Sequence, residues 1–87
     1  MELQQSFDQA VAESKQLSRK PDNATLLRLY SLFKQATEGD APAESGAGAF
    51  DFVAKAKHEA WDELRGKTRD DAMREYVALV EELKRNG

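Results

Sequence analysis

The sequence predicts an all-α protein, and three observations carry that prediction. Apolar residues recur at steps of three and four along most of the chain, which is the helical period. Runs of β-branched residues and strict alternation of apolar and polar residues, which indicate strands, are missing from the sequence. The 87 residues suffice for one small domain, 1–87, because a chain of this size buries only about 60% of the surface that it exposes when unfolded.

The first half of the chain predicts two helices. An apolar stripe with Leu3, Phe7 and Val11 predicts the first helix over about 3–17, ending before Pro21. Asp22 or Asn23 can cap the second helix, over about 23–37. Apolar residues are so dense there that more than one face of the second helix must be buried.

The second half predicts a long connection and two more helices. Residues 38–49 read EGDAPAESGAGA, which is typical of a surface loop, and loops of that length in small domains are often functional. Asp51 can cap a third helix over about 52–65, and Gly66 can stop it. Thr68 and Asp71 approximate a capping box for a fourth helix that ends near residue 84. The short connections allow helices 1 and 2, and helices 3 and 4, to pack as neighbours.

Composition excludes several classes of function. Thirteen Lys and Arg against 16 Asp and Glu give a net charge of −3, which argues against nonspecific nucleic-acid binding. The chain has no cysteine and one histidine, His58, which disfavours a metal site and most enzyme mechanisms. No apolar run approaches the roughly 18 residues of a membrane span, and the first residues do not resemble a signal peptide. We therefore expect a cytoplasmic protein that does not insert stably into membranes.

A few side chains offer chemistry suited to a nucleotide. Tyr30 and Lys34 lie one turn apart on the same side of the second helix, with Phe33 beside them. The alternative is that the rings belong to the core and the lysine only extends to solvent. Lys57 lies one turn before Trp61, which can sit beneath its ammonium group; the alternative is a lysine that only solvates its helix. Tyr76, if buried, needs a hydrogen-bond partner from a neighbouring side chain or a ligand.

Three segments follow one another along the chain: LYSLFKQATEGD (29–40), FDFVAKAKHEAWDELRG (50–66) and DDAMREYVALVEEL (70–83). In this order they are similar to the central signature, the second signature and the C-terminal helix of the acyl-CoA-binding protein family. The resemblance implies an up-down-down-up four-helix bundle with a long overhand connection between helices 2 and 3. It also implies a monomeric, non-catalytic carrier of medium- to long-chain fatty acyl-CoA that needs no cofactor.

The resemblance also assigns roles to residues of this chain. Tyr30 occupies the position that stacks on adenine, and Lys34 and Lys57 occupy the positions that hold the ribose 3′-phosphate. Tyr76 matches a tyrosine near the pantetheine and acyl part of the ligand, and Lys15 matches a basic position at the rim. The resemblance places the acyl chain in an apolar groove.

Departures from the family pattern occur at three positions. Phe33 stands where many members have a second tyrosine, so ring packing is kept and a hydroxyl is lost. His58 stands where many members have tryptophan, which weakens an apolar wall beside the acyl chain. Ser14 stands where many members have an apolar residue between helices 1 and 4. None of these changes removes the lysines.

Two other functions remain open from the sequence. The first is a small helical protein-protein interaction module that buries a partner helix against Leu26, Leu29 and Phe33. The second is an enzyme acting on acyl-CoA, for which the chain offers neither a thiol nucleophile nor a histidine pair.

Overall fold

The computed structural model describes residues 2–43 and 51–86, and these residues form four α-helices. The helices are α1 (Leu3–Ser14), α2 (Asn23–Glu38), α3 (Phe52–Asp62) and α4 (Arg69–Asn86). No strand occurs in the described part of the chain. The all-α prediction is confirmed.

The helix starts agree with the sequence because each predicted cap accepts a hydrogen bond from the backbone N–H three residues later. The distances are 2.8 Å at Asp22, 3.0 Å at Asp51 and 3.1 Å at Thr68. Such bonds satisfy N–H groups that have no partner inside the helix. Gly66 adopts a φ of +92°, a backbone conformation that glycine takes without steric cost, after the third helix.

Two helices end earlier than the sequence predicts. After Ser14 the N–H groups of residues 15 and 16 bond three residues back, at 3.3 and 2.9 Å, rather than four. The same tightening follows Asp62, where residues 64 and 65 donate to carbonyls three residues earlier at 3.0 and 3.1 Å. The chain therefore continues in 3₁₀-type turns that apolar spacing alone does not distinguish from α-helix.

The order of packing differs from the order along the chain. α4 packs against both α1 and α2, and α3 packs against α2. Among the described helices, the backbones of α1 and α2 are not adjacent, nor are those of α3 and α4. The predicted backbone packing of helices 3 and 4 is therefore wrong, and helices 1 and 2 meet through side chains instead: the rings of Phe7 and Phe33 stack with their centres 6.0 Å apart.

Pairs of facing side chains give the directions of the helices. Tyr30 faces Lys57, and Lys34, one turn later on α2, faces Trp61, one turn later on α3. α2 therefore runs parallel to α3. Likewise, α1 runs parallel to α4, because Phe7 meets Tyr76 and Glu13 meets Lys84 further along both helices.

α2 and α4 run in opposite directions. Phe33 meets Tyr76 inside α4, whereas Gln35, further along α2, bonds to Lys67 just before α4 begins. The helices therefore follow the predicted up-down-down-up order. Residues 39–51 connect the end of α2 to the beginning of α3.

The first residues of that connection are fixed against the end of α3. The indole Nε1 of Trp61 donates to the carbonyl of Gly39 at 2.8 Å, and Arg65 Nη2 donates to the carbonyl of Ala41 at 2.7 Å. Ala41 is buried, so the predicted surface loop begins inside the fold. Residues 44–50, on which the rest of the overhand prediction falls, lie outside the described residues.

The main core is built by α1, α2 and α4. Its buried members are Phe7, Ala10, Leu29, Leu32, Ala36, Ala72, Met73, Tyr76 and Val80. Burial of this apolar surface is the principal force that holds the three helices together.

Candidate functional site

A cavity of about 310 Å³ opens between α1, α2 and α4 and brings together four of the six predicted site residues. These four are Lys15, Tyr30, Phe33 and Tyr76. The rest of the lining is mainly apolar: Val11, Ser14, Pro21, Leu26 and Leu29. The cavity thus combines aromatic rings, a cation at the edge and an apolar floor.

A second cavity, of about 370 Å³, adjoins the first between the beginnings of α2 and α3. Leu26 lines both cavities. The remaining lining is Asn23, Leu27, Val53, Ala56 and Lys57. Two mainly apolar cavities, the first with aromatic rings and Lys15 in its lining, therefore adjoin along one side of α2.

Lys57 lies where the two cavities meet. Its Nζ is 5.3 Å from the centre of the Tyr30 ring, within the range of a cation–π contact. The sequence left open a contact of this ammonium group with Trp61 or with solvent alone, and the structure places it beside Tyr30. Because α2 and α3 are parallel, the long lysine side chain reaches across to the neighbouring helix rather than along its own.

Lys34 is not brought into either cavity. Its Nζ lies 5.0 Å from the centre of the Trp61 ring and forms an ion pair with Glu38, one turn later on α2. The two side chains are 23% and 53% exposed, so the pair is accessible to a ligand. The sequence reasoning missed Glu38, although the four-residue spacing from Lys34 is a visible signal for such a pair.

Tyr76 is buried, and its hydroxyl has a partner within the protein. It donates to Ser14 Oγ at 3.1 Å, and the Ser14 hydroxyl donates in turn to the carbonyl of Val11 at 2.7 Å. The Tyr76 ring also packs against Phe7 and Phe33, with ring centres 5.1 and 6.4 Å away. The serine that departs from the family pattern therefore supplies the hydrogen bond that this tyrosine needs.

The end of α2 that carries Lys34 is anchored by a buried amide. Gln35 is fully buried, and its Nε2 donates to Asp40 Oδ1 at 2.9 Å and to the Lys67 carbonyl at 2.8 Å. Asp40 also accepts the backbone N–H of Gly66 at 2.9 Å. The Gly66 N–H first, and the Gln35 amide second, hold the pKa of the Asp40 carboxyl below its usual range. The sequence reasoning missed this network, although Gln35 and Asp40 both lie within the 29–40 segment that resembles the family signature.

His58 lies apart from both cavities, beside Ala43, Lys55 and Glu59. The structure thus separates this departure from the lining of the apolar cavity. Within residues 2–43 and 51–86, no group of three His, Cys, Asp or Glu side chains is placed to hold a metal ion. None of the four described helices is long and apolar enough to cross a membrane.

Comparison with known proteins gives consistent matches over nearly the whole chain. The family profile described as Acyl CoA binding protein matches residues 4–80. The chain is 54% identical over 78 residues to acyl-CoA-binding protein homolog 1 of Caenorhabditis elegans, covering 90% of each chain. It is 42% identical over 81 residues to the acyl-CoA-binding protein of Saccharomyces cerevisiae, covering 93% of this chain and 92% of the relative.

A solved structure shares the fold. The crystal structure of Oryza sativa acyl-CoA-binding protein 2 superposes with a TM-score of 0.88 at 32% identity, covering 98% of this chain and 93% of that one. The family profile, the sequence relatives and this structural neighbour agree, and the chain belongs to the acyl-CoA-binding protein family.

Proposed function

We propose that this protein binds medium- to long-chain fatty acyl-CoA, buffers it and transports it within the cytoplasm as a monomer, without catalysing a reaction. The observation that carries the proposal is the meeting of two cavities at Lys57 and Tyr30. The first cavity offers aromatic rings and Lys15 for a nucleotide, with Lys57 beside Tyr30, and the second offers apolar side chains for an alkyl chain. The names of the relatives support the same ligand.

The nucleotide end of the ligand would bind at Tyr30. Its ring provides a stacking surface for adenine, and the ammonium group of Lys57 already lies within 5.3 Å of the ring centre. A 3′-phosphate beside the adenine would therefore meet Lys57, and it would meet Lys34 once it displaces the Glu38 carboxylate. Charge-assisted hydrogen bonds from two ammonium groups to one phosphate are stronger than bonds between neutral groups.

The remainder of the ligand would follow the two cavities. Lys15 lies at the edge of the first cavity, and Tyr76 and Phe33 provide its apolar wall near the pantetheine. The alkyl chain would cover Leu26 and the other apolar residues of the second cavity. Burying a methylene group is worth about 0.8 kcal/mol, so sixteen carbons give on the order of 10 kcal/mol before the cost of ordering. The alkyl chain of the ligand would therefore contribute most of the affinity, and the lysines would select CoA over free fatty acid.

Carriage without catalysis agrees with the residues available. The sequence holds no cysteine, and its one histidine lies outside both cavities. The thioester of an acyl-CoA would therefore meet mainly aromatic and aliphatic side chains. We expect palmitoyl-CoA to be recovered intact after incubation with the protein, and hydrolysis above the buffer rate would contradict carriage without catalysis.

A rival role as a docking module for a partner helix has less support. Of the three residues proposed to receive that helix, Leu29 is 8% exposed. The other two, Leu26 and Phe33, are half-buried in the lining of a concave cavity. The surface therefore fits a narrow ligand better than a helix about 10 Å wide.

Substitution of the lysines tests the proposal. Lys34→Ala and Lys57→Ala should each weaken binding of palmitoyl-CoA by several-fold or more, measured by calorimetry, and should reduce its discrimination from palmitate. Lys55→Ala is the matched control for Lys57→Ala, because Lys55 lies on the same helix as Lys57 but lines neither cavity. Unchanged affinity in both variants would contradict the phosphate assignment.

Thermal unfolding separates carriage from the docking role. A ligand that binds only the folded protein must raise its melting temperature. We expect the melting temperature to rise with acyl-CoA of eight to twenty carbons, and the size of the rise to report chain-length preference. No rise at any chain length would favour the docking role.

A further inference from the structure

Glu38 pairs with Lys34, one of the two lysines that the proposed ligand needs. It is the last residue of α2, and its carboxylate pairs with the Lys34 ammonium group. Lys34 therefore has an anionic partner before any phosphate arrives. A phosphate that binds Lys34 must displace this carboxylate or share the ammonium group with it.

The position of Glu38 makes its pair with Lys34 weak. The C-terminal end of a helix carries a partial negative charge, which disfavours a carboxylate there. The last turn of α2 has no basic residue of its own, and the cation beside its end is the Arg69 guanidinium of α4, near Gly39. In addition, a lysine that precedes a glutamate by four residues is the less favourable order for such a pair. A doubly charged phosphate can therefore compete with Glu38.

Lys34 keeps a second contact when Glu38 is displaced. Its Nζ lies 5.0 Å from the centre of the Trp61 ring, and this contact does not involve the carboxylate. Trp61 is itself buried and held by its bond to Gly39. The ammonium group can exchange one anion for another while its position above the ring is retained.

We propose that Glu38 is an intramolecular competitor of the ligand phosphate, and that it lowers both the affinity for acyl-CoA and the preference for a phosphorylated nucleotide. The inference rests on the proposed function, because it concerns the same lysine. Glu38 is thus a specificity-determining residue that touches the binding lysine and is displaced when the ligand binds.

Glu38→Gln tests the inference, since glutamine has nearly the same shape and helix propensity as glutamate but lacks its charge. Exposed ion pairs are worth about 0.2–1 kcal/mol, which corresponds to roughly 1.4- to 5-fold in affinity. We expect palmitoyl-CoA to bind Glu38→Gln about two- to five-fold more tightly at low ionic strength, and less of this gain at high salt. Palmitoyl-CoA without its 3′-phosphate should gain less.

Two further variants separate this effect from a change in overall charge. Glu81→Gln removes an equally exposed carboxylate that pairs with Lys84 on α4, and its affinity should stay near that of the unaltered protein. In a Lys34→Ala background, Glu38→Gln should no longer tighten binding, because the competed cation is gone.

The outcomes distinguish the inference from the proposed function. If the unaltered protein does not bind palmitoyl-CoA, the proposed function fails. If it binds but Glu38→Gln equals the unaltered protein, or tightens binding no more than Glu81→Gln, the inference is overturned. An equal gain with and without Lys34 would also overturn it.

Discussion

The two sides of α2 are stabilised very differently. On one side, α4 contributes four buried residues, Ala72, Met73, Tyr76 and Val80. On the other side, α3 contributes only Trp61 among its described residues. The difference shows that α1, α4 and the facing side of α2 form the stable body of the protein, whereas α3 is attached to that body.

The attachment of α3 is itself uneven. Its C-terminal end is held by hydrogen bonds from Trp61 to Gly39 and from Arg65, just beyond the helix, to Ala41. Its N-terminal end carries Phe52 and Val53, which are 71% and 66% exposed. The wall that α3 adds to the apolar cavity therefore comes from its less stabilised end. Under the proposed function, the alkyl chain of the ligand would cover apolar surface that the protein leaves exposed.

The largest expected effect is on the stable body. Phe7→Ala removes a ring that is 2% exposed and packs against Tyr76 and Phe33, which should lower the free energy of unfolding by about 3–5 kcal/mol. Phe52→Ala makes the same chemical change at the exposed end of α3 and should change it by no more than about 0.5 kcal/mol. Urea unfolding measures both. Equal losses would contradict the difference between the two sides.

The next effect concerns the attachment of α3. Trp61→Phe removes the indole N–H that donates to Gly39, and leaving that carbonyl without its partner should cost about 1–3 kcal/mol. Circular dichroism follows the unfolding, because the variant has no tryptophan. Hydrogen exchange should accelerate in α3 more than in α1 and α4. Uniform acceleration in all four helices would show that α3 is not a separate attachment.

A smaller effect is expected at the contact between α1 and α4. Ser14→Ala leaves the buried Tyr76 hydroxyl without its acceptor, which should lower the free energy of unfolding by about 1–2 kcal/mol. In a Tyr76→Phe background the same change should cost much less, because no hydroxyl remains to be satisfied. Thermal or urea unfolding of the four proteins gives the coupling. Additive losses would contradict the hydrogen bond.

The smallest effect is a dependence on acid at the anchored end of α2. The pKa of Asp40 is lowered in the folded protein from an ordinary value of 3.8. Its ionised form therefore stabilises the fold above the ordinary value, and this contribution is lost as the pH falls through the lowered pKa. The free energy of unfolding should decrease below about pH 4. This decrease should be smaller in Asp40→Asn than in the unaltered protein. Identical pH profiles would contradict the role of Asp40.

Much of this structure could be predicted from the sequence, because local signals determine it. The helix starts followed from Asp22, Asp51 and Thr68, whose side chains cap the backbone directly after them. The dense apolar residues of α2 correctly indicated two buried faces. By contrast, the early end of α1 depends on a change of hydrogen-bond spacing that apolar periodicity does not record.

The pairing of helices could not be predicted from local signals. Whether Lys57 lies above Trp61 or Tyr30 depends on the direction of α3 relative to α2, which is a property of the whole fold. The resemblance implied that direction, whereas one-turn spacing along α3 could only offer Trp61 as a possible contact. The pair of Lys34 with Glu38, by contrast, follows from a four-residue spacing along one helix and could have been predicted.

Mapping the ligand onto backbone amides tests the central claim most directly. In a titration of the isotope-labelled protein with palmitoyl-CoA, we predict that NMR signals change around Lys15, Tyr30, Lys57 and Tyr76, which surround the two adjoining cavities. Signals around Arg28, Glu63 and Glu75, which line another groove of about 370 Å³ between α2, α3 and α4, should change little. No signal changes, or changes confined to that other groove, would contradict the account.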